Sequence, residues 1–520
     1  MNQSLRAAAD NADVEGVLCW CADQRPPLEE SVLRAWRRPG DVWHAGLRLG
    51  MGGLPASIDF VHPTWTLNRD PDAHLEATSW RVSLRACLLR CDVIRKLGAL
   101  DERFASLDAA ALDFGHRCLT AGAFTRHLPW LVDDNARAPS PYIAADDAFL
   151  FILNRFGAKW TRWALLRASL TGELSPVAAV RLYRRLRGIR SQAQPGALHV
   201  PENSAHLRRP DDARVSVIVP TVDRYPYLRV LLKQLRTQSV PPHEIIVVDQ
   251  TAEDRREPGM YEEFGDLPLT VHFQDRPGQC SSRNWAIRES TGDFLLFLDD
   301  DDEVEDSLIA RHLTSIERWS ADVSSGVADE VGAGPLPENF RQIRLSDVFP
   351  TNNSMLRREV LRTSGLFDLA YERGQRADGD LGTRIYLTGA VMVLNPTISV
   401  LHHHAPSGGL RKHKARVQTY AASRQSLWVR QLPSATEFYL GARYFTPRQR
   451  RESGWIRVLG TFSVRGSIGR KAAKAFISAV NLPGTLRAFR KRRDEASAMC
   501  QRFPDIPTLP ELQETLELGA

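Results

Sequence analysis

Gly292-Asp293-Phe294-Leu295-Leu296-Phe297-Leu298-Asp299-Asp300-Asp301-Asp302 (GDFLLFLDDDD) decides how this chain is read. Phe294 to Leu298 is an apolar run of strand length, and it opens directly onto four carboxylates. Like charges a few ångströms apart repel and raise one another's pKa unless a cation neutralises them. A divalent metal, Mn or Mg, is the natural partner, because such ions take oxygen ligands from carboxylates and phosphates. In an extended segment alternate side chains share a face, so Asp299 and Asp301 converge while Asp300 and Asp302 point away and are replaceable. A competing reading makes the run a solvated acidic loop or the acidic start of a helix.

Upstream, Val215 to Val219 is a second apolar run, ended by Pro220. Leu228, Leu231, Leu232 and Leu235 follow at helical spacing. Strands are expected over Glu244 to Val248, Leu269 to Phe273 and, later, Thr397 to Leu401, with a helix across Ser281 to Glu289. This alternation predicts an α/β fold, a parallel sheet covered by helices, with ligands at the carboxyl ends of the strands. Asp249 and Asp299 each stand one residue past such an end.

The remainder of the chain sets the bounds. With 520 residues, 43% hydrophobic and 25% charged, there is room for two or three cores, and no apolar stretch approaches the length of a membrane-spanning helix. Met1 to Asp13 lacks the apolar core of a signal peptide, so a cytoplasmic location is expected. Seven cysteines without paired C-x-x-C blocks argue against a disulfide framework or a structural zinc site. The net charge is +6, and between Arg451 and Arg493 Glu452 is the only acid. That basic region reads either as a solvated face or as a peripheral contact with the inner face of a membrane. Nucleic-acid binding has no recognisable module behind it.

An internal repeat divides the chain. An offset of 267 pairs Gly98 with Gly365, Asp101 with Asp368, Asp113 with Asp380, Arg117 with Arg384 and Gly122 with Gly389 without a gap. A second offset, 276, lays Asp23 on Asp299 and Arg25 on Asp301. The expected organisation is a truncated, non-catalytic unit over 1–191 closed by helices between Ala144 and Arg190, a linker over 192–213, a catalytic unit over 214–415 and a helical basic region over 416–520.

VSVIVPTVDR (Val215 to Arg224), IIVVDQT (Ile245 to Thr251), SSRN (Ser281 to Asn284) and GDFLLFLDDDD stand in an order and spacing that resembles the family 2 glycosyltransferases of GT-A fold, a Rossmann-like nucleotide-diphospho-sugar transferase fold. The resemblance runs from about Val215 to about His404. It implies transfer of a sugar from a nucleotide-sugar donor to an acceptor hydroxyl, with inversion and with a metal. Pro220, Thr221, Asp223, Asp249, Arg283, Asp299 and Asp300 would meet the nucleotide sugar, and Asp299 with Asp301 would form the D-x-D pair. Turn or cap chemistry is the alternative for Asp223 and Asp249. His402 or His404 would add a metal ligand, or simply end a strand, and Arg411 would lie near the phosphates.

Where the family carries an acidic pair ahead of a helix, this chain has Ala377 and Asp378, with Asp380 two residues on. The repeat keeps Asp113 opposite Asp380 but has Ala111 opposite Asp378, so Asp378 is expected to be the base and Asp380 structural. The acceptor is expected to be a glycan, a lipid-linked sugar or a small molecule, with cell-envelope polysaccharide or glycolipid the foremost reading. An inactive sugar-nucleotide-binding protein is the rival from another class. A phosphatase of the haloacid-dehalogenase type fits poorly, since Glu303 stands where its threonine would, and a calcium loop would need glycine at Val304 and glutamate at Ala310.

Overall fold

The computed structural model describes residues 1–21, 25–47, 54–59, 70–133, 142–189, 196–199, 213–332, 334, 336, 340–405, 426–430 and 432–509. Most of the expected linker and Arg411 lie outside them.

The N-terminal unit holds a four-stranded sheet of β1 (Gly16–Trp20), β2 (Val42–Ala45), β3 (Ala86–Arg90) and β4 (Thr125–His127), in the order β1-β3-β2-β4. Against it lies the helix Leu107–Ala121. Ser106 caps its first turn, and Gly122, at φ +77°, ends it in the left-handed region that glycine adopts without a Cβ penalty. The closing helices are Ala145–Leu170, kinked at Gly157, and Pro176–Leu186.

The central unit is built on β5 (Val215–Thr221), β6 (Glu244–Asp249), β7 (Leu269–Phe273), β8 (Phe294–Phe297), β9 (Asp302–Glu303), β10 (Val323–Glu330), β11 (Arg344–Leu345), β12 (Ser354–Arg357) and β13 (Met392–His402). Its order is β11-β13-β10-β12-β8-β5-β6-β7, with β9 attached to β13. Strands β5 to β8 run parallel, as expected, with the helices Tyr225–Arg236 and Gln279–Glu289 between them. Beyond β8 the sheet is mixed: β10 and β13 run parallel, while β12 is antiparallel to both neighbours. A parallel return needs a long crossover, usually a helix, and the described residues between β10 and β12 form none of that length. The C-terminal helices do not stand apart. Tyr439, Tyr444 and Ala496 join Leu381 and Ile385 in one core.

The two units match in register as well as in order. Val42 pairs with Leu89 and Thr125, and Val323 pairs with Leu356 and Met392, the same partners moved by 267. The isolated bridge Ala77–His127 answers to Arg344–Leu394 in the same way. Register also corrects the second offset. Gly16 faces Arg90 as Phe294 faces Arg357, which is an offset of 278 rather than 276. One residue past β1 and two past β8, Cys21 therefore stands opposite Asp299, and Asp23, outside the described residues, falls opposite Asp301.

The units meet through reciprocal contacts. A Cβ on Gly122 would collide with the Ile343 carbonyl, and one on Gly389 would collide with the Glu76 carbonyl; both pairs are related by the 267 offset. Phe124 stacks on Trp319 at 3.8 Å, and the Tyr386 hydroxyl donates to Asp70 at 2.9 Å. Ile343, Val391 and Val393 are thereby buried among N-terminal side chains.

Candidate active site

Parallel strands β5, β6 and β8 end on one edge of the sheet; Pro220, Thr221 and Asp249 are last residues of β5 and β6, and the acidic run follows β8. Asp300 is buried, accepting from the Thr221 hydroxyl and from Arg224 Nη1, each at 2.7 Å. Arg224 Nη1 also reaches Asp301 Oδ1 at 3.0 Å. Asp301 Oδ2 accepts the Ala405 N–H at 2.7 Å, and its carbonyl accepts the His403 N–H. Asp302 accepts the Asp299 N–H at 2.8 Å and lies 2.8 Å from His402 Nδ1, opposite which β9 and β13 place it. The expectation that Asp300 and Asp302 point away and are dispensable is therefore corrected. Both are buried, and their bonds set the shape of the loop.

These contacts fix the electrostatics. Burial drives the Asp300 pKa up to about 6 against the pull of Arg224. Burial opposes charge on His402 too, but its bond to Asp302, with Asp299 and Asp301 nearby, prevails and raises its pKa to about 9. Asp299, Asp301 and His402 each present one ligand atom, all within 4.8 Å of one another. Two oxygens and one imidazole nitrogen suit Mn, and the carboxylates suit Mg. Of the two expected histidines, His402 is the one in this set, while His404 Nε2 lies 3.2 Å from Glu330 on a backbone turned to φ +50°, its ring 4.4 Å from that of His402. Arg283 Nη2 donates to Asp299 at 2.9 Å, while its buried Nε has no partner among the described residues.

Asp249 and Asp223 are more engaged than their positions suggested. Asp249 is fully buried and accepts from the hydroxyls of Tyr225 (2.7 Å) and Tyr261 (2.9 Å) and from the Thr251 N–H. Asp223, at φ +55°, pairs with Arg255, and its N–H donates to the Thr251 hydroxyl. Asn284 holds Phe367 from both sides, donating to its carbonyl and accepting its N–H.

Sequence reading missed Arg224, Tyr225, Tyr261 and Glu372. The Glu372 carboxylate accepts the N–H groups of Cys280 and Ser281, capping the helix that carries Arg283. Gln279 of that helix donates to the carbonyls of Tyr371 and Gly374. The segment leading to Asp378 is thus tied to Arg283 and, through it, to Asp299. Arg224 was legible in principle, as a cation at the strand–helix junction facing an acidic run. The partners of Glu372 are some ninety residues away in sequence and left no local signal.

Asp378 and Asp380 differ sharply. Asp378 is exposed in the first turn of the helix Ala377–Leu387, just after Arg376 at φ +84°. Asp380 is fully buried, bonded to Arg384 Nε at 2.9 Å and to the Tyr444 hydroxyl at 2.8 Å. Arg384 in turn donates to the carbonyls of Ser364 and Leu366. In the N-terminal unit Asp113 holds Arg117, which donates to the carbonyls of Leu97 and Ala99, the same pattern moved by 267.

The match to a known family falls on this unit. Residues 216–371 match the model of "Glycosyl transferase family 2". The O-antigen biosynthesis protein RfbC of Myxococcus xanthus is 28% identical over 226 residues, covering 37% of this chain and 18% of the relative. An uncharacterized glycosyltransferase of Haemophilus influenzae is 38% identical over 89 residues, 17% of this chain and 29% of the relative. The chain thus spans less than a third of the length of these two relatives. Among solved structures, mannosyltransferase PcManGT from Pyrobaculum calidifontis, in complex with GDP-Man and Mn2+, is 18% identical at a TM-score of 0.38, covering 66% of this chain and 97% of that one. TarS of S. aureus, residues 1–349 with UDP-GlcNAc, is 17% identical at a TM-score of 0.36, covering 56% and 91%. Through its residues 216–371, the chain is similar to glycosyl transferase family 2.

Proposed function

We propose that the chain transfers a sugar from a nucleotide-sugar donor to an acceptor hydroxyl, with inversion, in the synthesis of a cell-envelope polysaccharide or glycolipid. The observation that carries this reading is the convergence of Asp299, Asp301 and His402 beside Arg283 at the carboxyl edge of the parallel strands. Asp299, Asp301 and His402 would hold a divalent metal, Mn or Mg. When bound, that ion neutralises charge on a diphosphate leaving group. Arg283 adds a fixed cation beside Asp299. Pro220, Thr221, Asp223 and Asp249 line the strand ends where the nucleoside would lie, and Asp300 holds Thr221 and Arg224 in place. Asp378, exposed and at a helix start, accepts the proton of the acceptor hydroxyl as the new bond forms.

Names of relatives support the substrate class, since one is an O-antigen biosynthesis protein and another a poly(ribitol-phosphate) β-N-acetylglucosaminyltransferase. We assign the N-terminal unit as a non-catalytic relative of the later half of the central unit. Its support is the shared strand register together with Cys21 and Ala111 at the positions of Asp299 and Asp378.

Thermal unfolding against a panel of UDP-, GDP- and dTDP-sugars, with and without Mn2+, tests the reading. One donor at about a hundred times its Kd should stabilise the protein by about 2.7 kcal/mol. That gain should require the metal. No stabilisation by any donor in the panel would overturn the proposal.

A further inference from the structure

The helix Ile468–Val480 sits inside out. Its N-cap is Ser467, whose side chain accepts the Arg470 N–H. Lys474 is 1% exposed, and its ammonium donates to the carbonyls of Ser426 (3.0 Å), Leu427 (3.0 Å) and Val429 (2.9 Å), which uses all three of its protons. Ser478, equally buried, donates to the Thr461 carbonyl at 2.7 Å. The polar positions therefore anchor the helix to the protein. On the opposite face Ile468, Ala472, Phe476 and Val480 recur every fourth residue, and Ile468, Phe476 and Val480 are 85%, 71% and 63% exposed. A helix on a globular protein in water normally turns such a stripe inward.

Charge identifies what covers it. From Arg465 to Arg493 the sequence contains no acid, and Arg465, Lys471, Arg487 and Arg490 are exposed. A second copy of this chain would set cation against cation across the stripe. An anionic bilayer satisfies both features, taking the apolar residues at the level of its headgroups and the lysine and arginine side chains by attraction. Thirteen residues are too few to span a bilayer, and no described helix is long and apolar enough to cross one.

We propose that the chain docks peripherally on an anionic lipid surface through the outward face of Ile468–Val480, with Phe476 inserted and the surrounding cations on the headgroups. The full chain would be sedimented with vesicles of phosphatidylcholine alone and with vesicles carrying about 30 mol% phosphatidylglycerol. Binding is expected only to the second, weakened in about 0.5 M NaCl, where charges are screened within a few ångströms. Phe476→Asp should weaken binding by about tenfold with an unchanged melting temperature, since the residue is mostly exposed. Arg465→Gln and Lys471→Gln should each weaken it by about fivefold. Equal binding to neutral vesicles, no binding to either, or full binding by Phe476→Asp would overturn the proposal. So would self-association of the wild-type chain that Phe476→Asp abolishes in the absence of lipid.

Discussion

Asparagine at position 378 and asparagine at position 380 should do opposite things. Asp380 is sealed between Arg384, Tyr444 and Tyr371, so Asp380→Asn leaves the Arg384 guanidinium buried without its counter-charge. Removing one partner of a buried pair costs about 3–5 kcal/mol. For a unit of this size that lowers the melting temperature by roughly 10 °C. Asp378 is exposed, so Asp378→Asn should change stability by no more than about 0.5 kcal/mol. As the base, however, Asp378 should take with it about 10²–10⁴-fold of the transfer rate. Donor binding, which makes no use of the acceptor proton, should be unchanged. Release of nucleoside diphosphate in the presence of acceptor, measured well below the melting temperature of both variants, separates the two effects. The assignment is refuted if Asp378→Asn transfers at nearly the wild-type rate while folded Asp380→Asn is inactive.

The other expectations follow from the same geometry. Stabilisation by Mn2+ in thermal unfolding should disappear in Asp301→Asn and His402→Ala and survive in His404→Ala, because His402 and not His404 faces the carboxylates; loss in His404→Ala alone would reverse that choice. Gly122→Ala and Gly389→Ala should each cost about 2–3 kcal/mol, combining left-handed backbone strain with a collision against the opposite unit, whereas Gly172→Ala, at φ +76° with open space around it, should show only about 1 kcal/mol of strain. Urea midpoints of the three variants read this directly, and equal midpoints would remove the claim of a tight interface. His312 is buried between Ser324 and Asn353, and burial lowers its pKa from 6.5 to about 4. The neutral ring is thus favoured in the folded state. Its stabilisation is complete above pH 6.5 and declines by about 3 kcal/mol as the pH falls to 4. His312→Gln should flatten that part of the stability profile, and an unchanged acid limb would place the loss elsewhere.

What the sequence made legible was whatever local pattern controls. Apolar runs located β5 to β8, and the step from Phe297 into the aspartates located the site, because strand length and charge density act within a few residues. Its failures were long-range. No expected strand covered β12, which runs antiparallel because the connection before it carries no crossover helix. Counting alternate faces predicted that Asp300 and Asp302 would point away, but a two-residue strand, Asp302–Glu303, folds Asp302 onto β13, and Asp300 is buried against Thr221 and Arg224. Glu372 is invisible in sequence for the same reason: its partners are chosen by packing.

The repeat supplies an argument that neither half could give alone. In each unit an aspartate holds an arginine four residues on, and that arginine collects the carbonyls of the turn before the helix: Leu97 and Ala99 in one, Ser364 and Leu366 in the other. The turn glycines, Gly98 at φ +77° and Gly365 at φ +73°, keep the same conformation. This is a folding device, needed wherever the strand, turn and helix are built. The residues that differ between the units are then the ones the fold does not require. Alanine replaces Asp378 in the N-terminal unit, and the corrected register puts Cys21 where Asp299 stands. A carboxylate that the fold can spare, exposed at a helix start in one unit and absent from the other, is free for the role proposed for Asp378. A carboxylate that both units bury beside the same arginine is explained by stability, and Asp380 needs no further role.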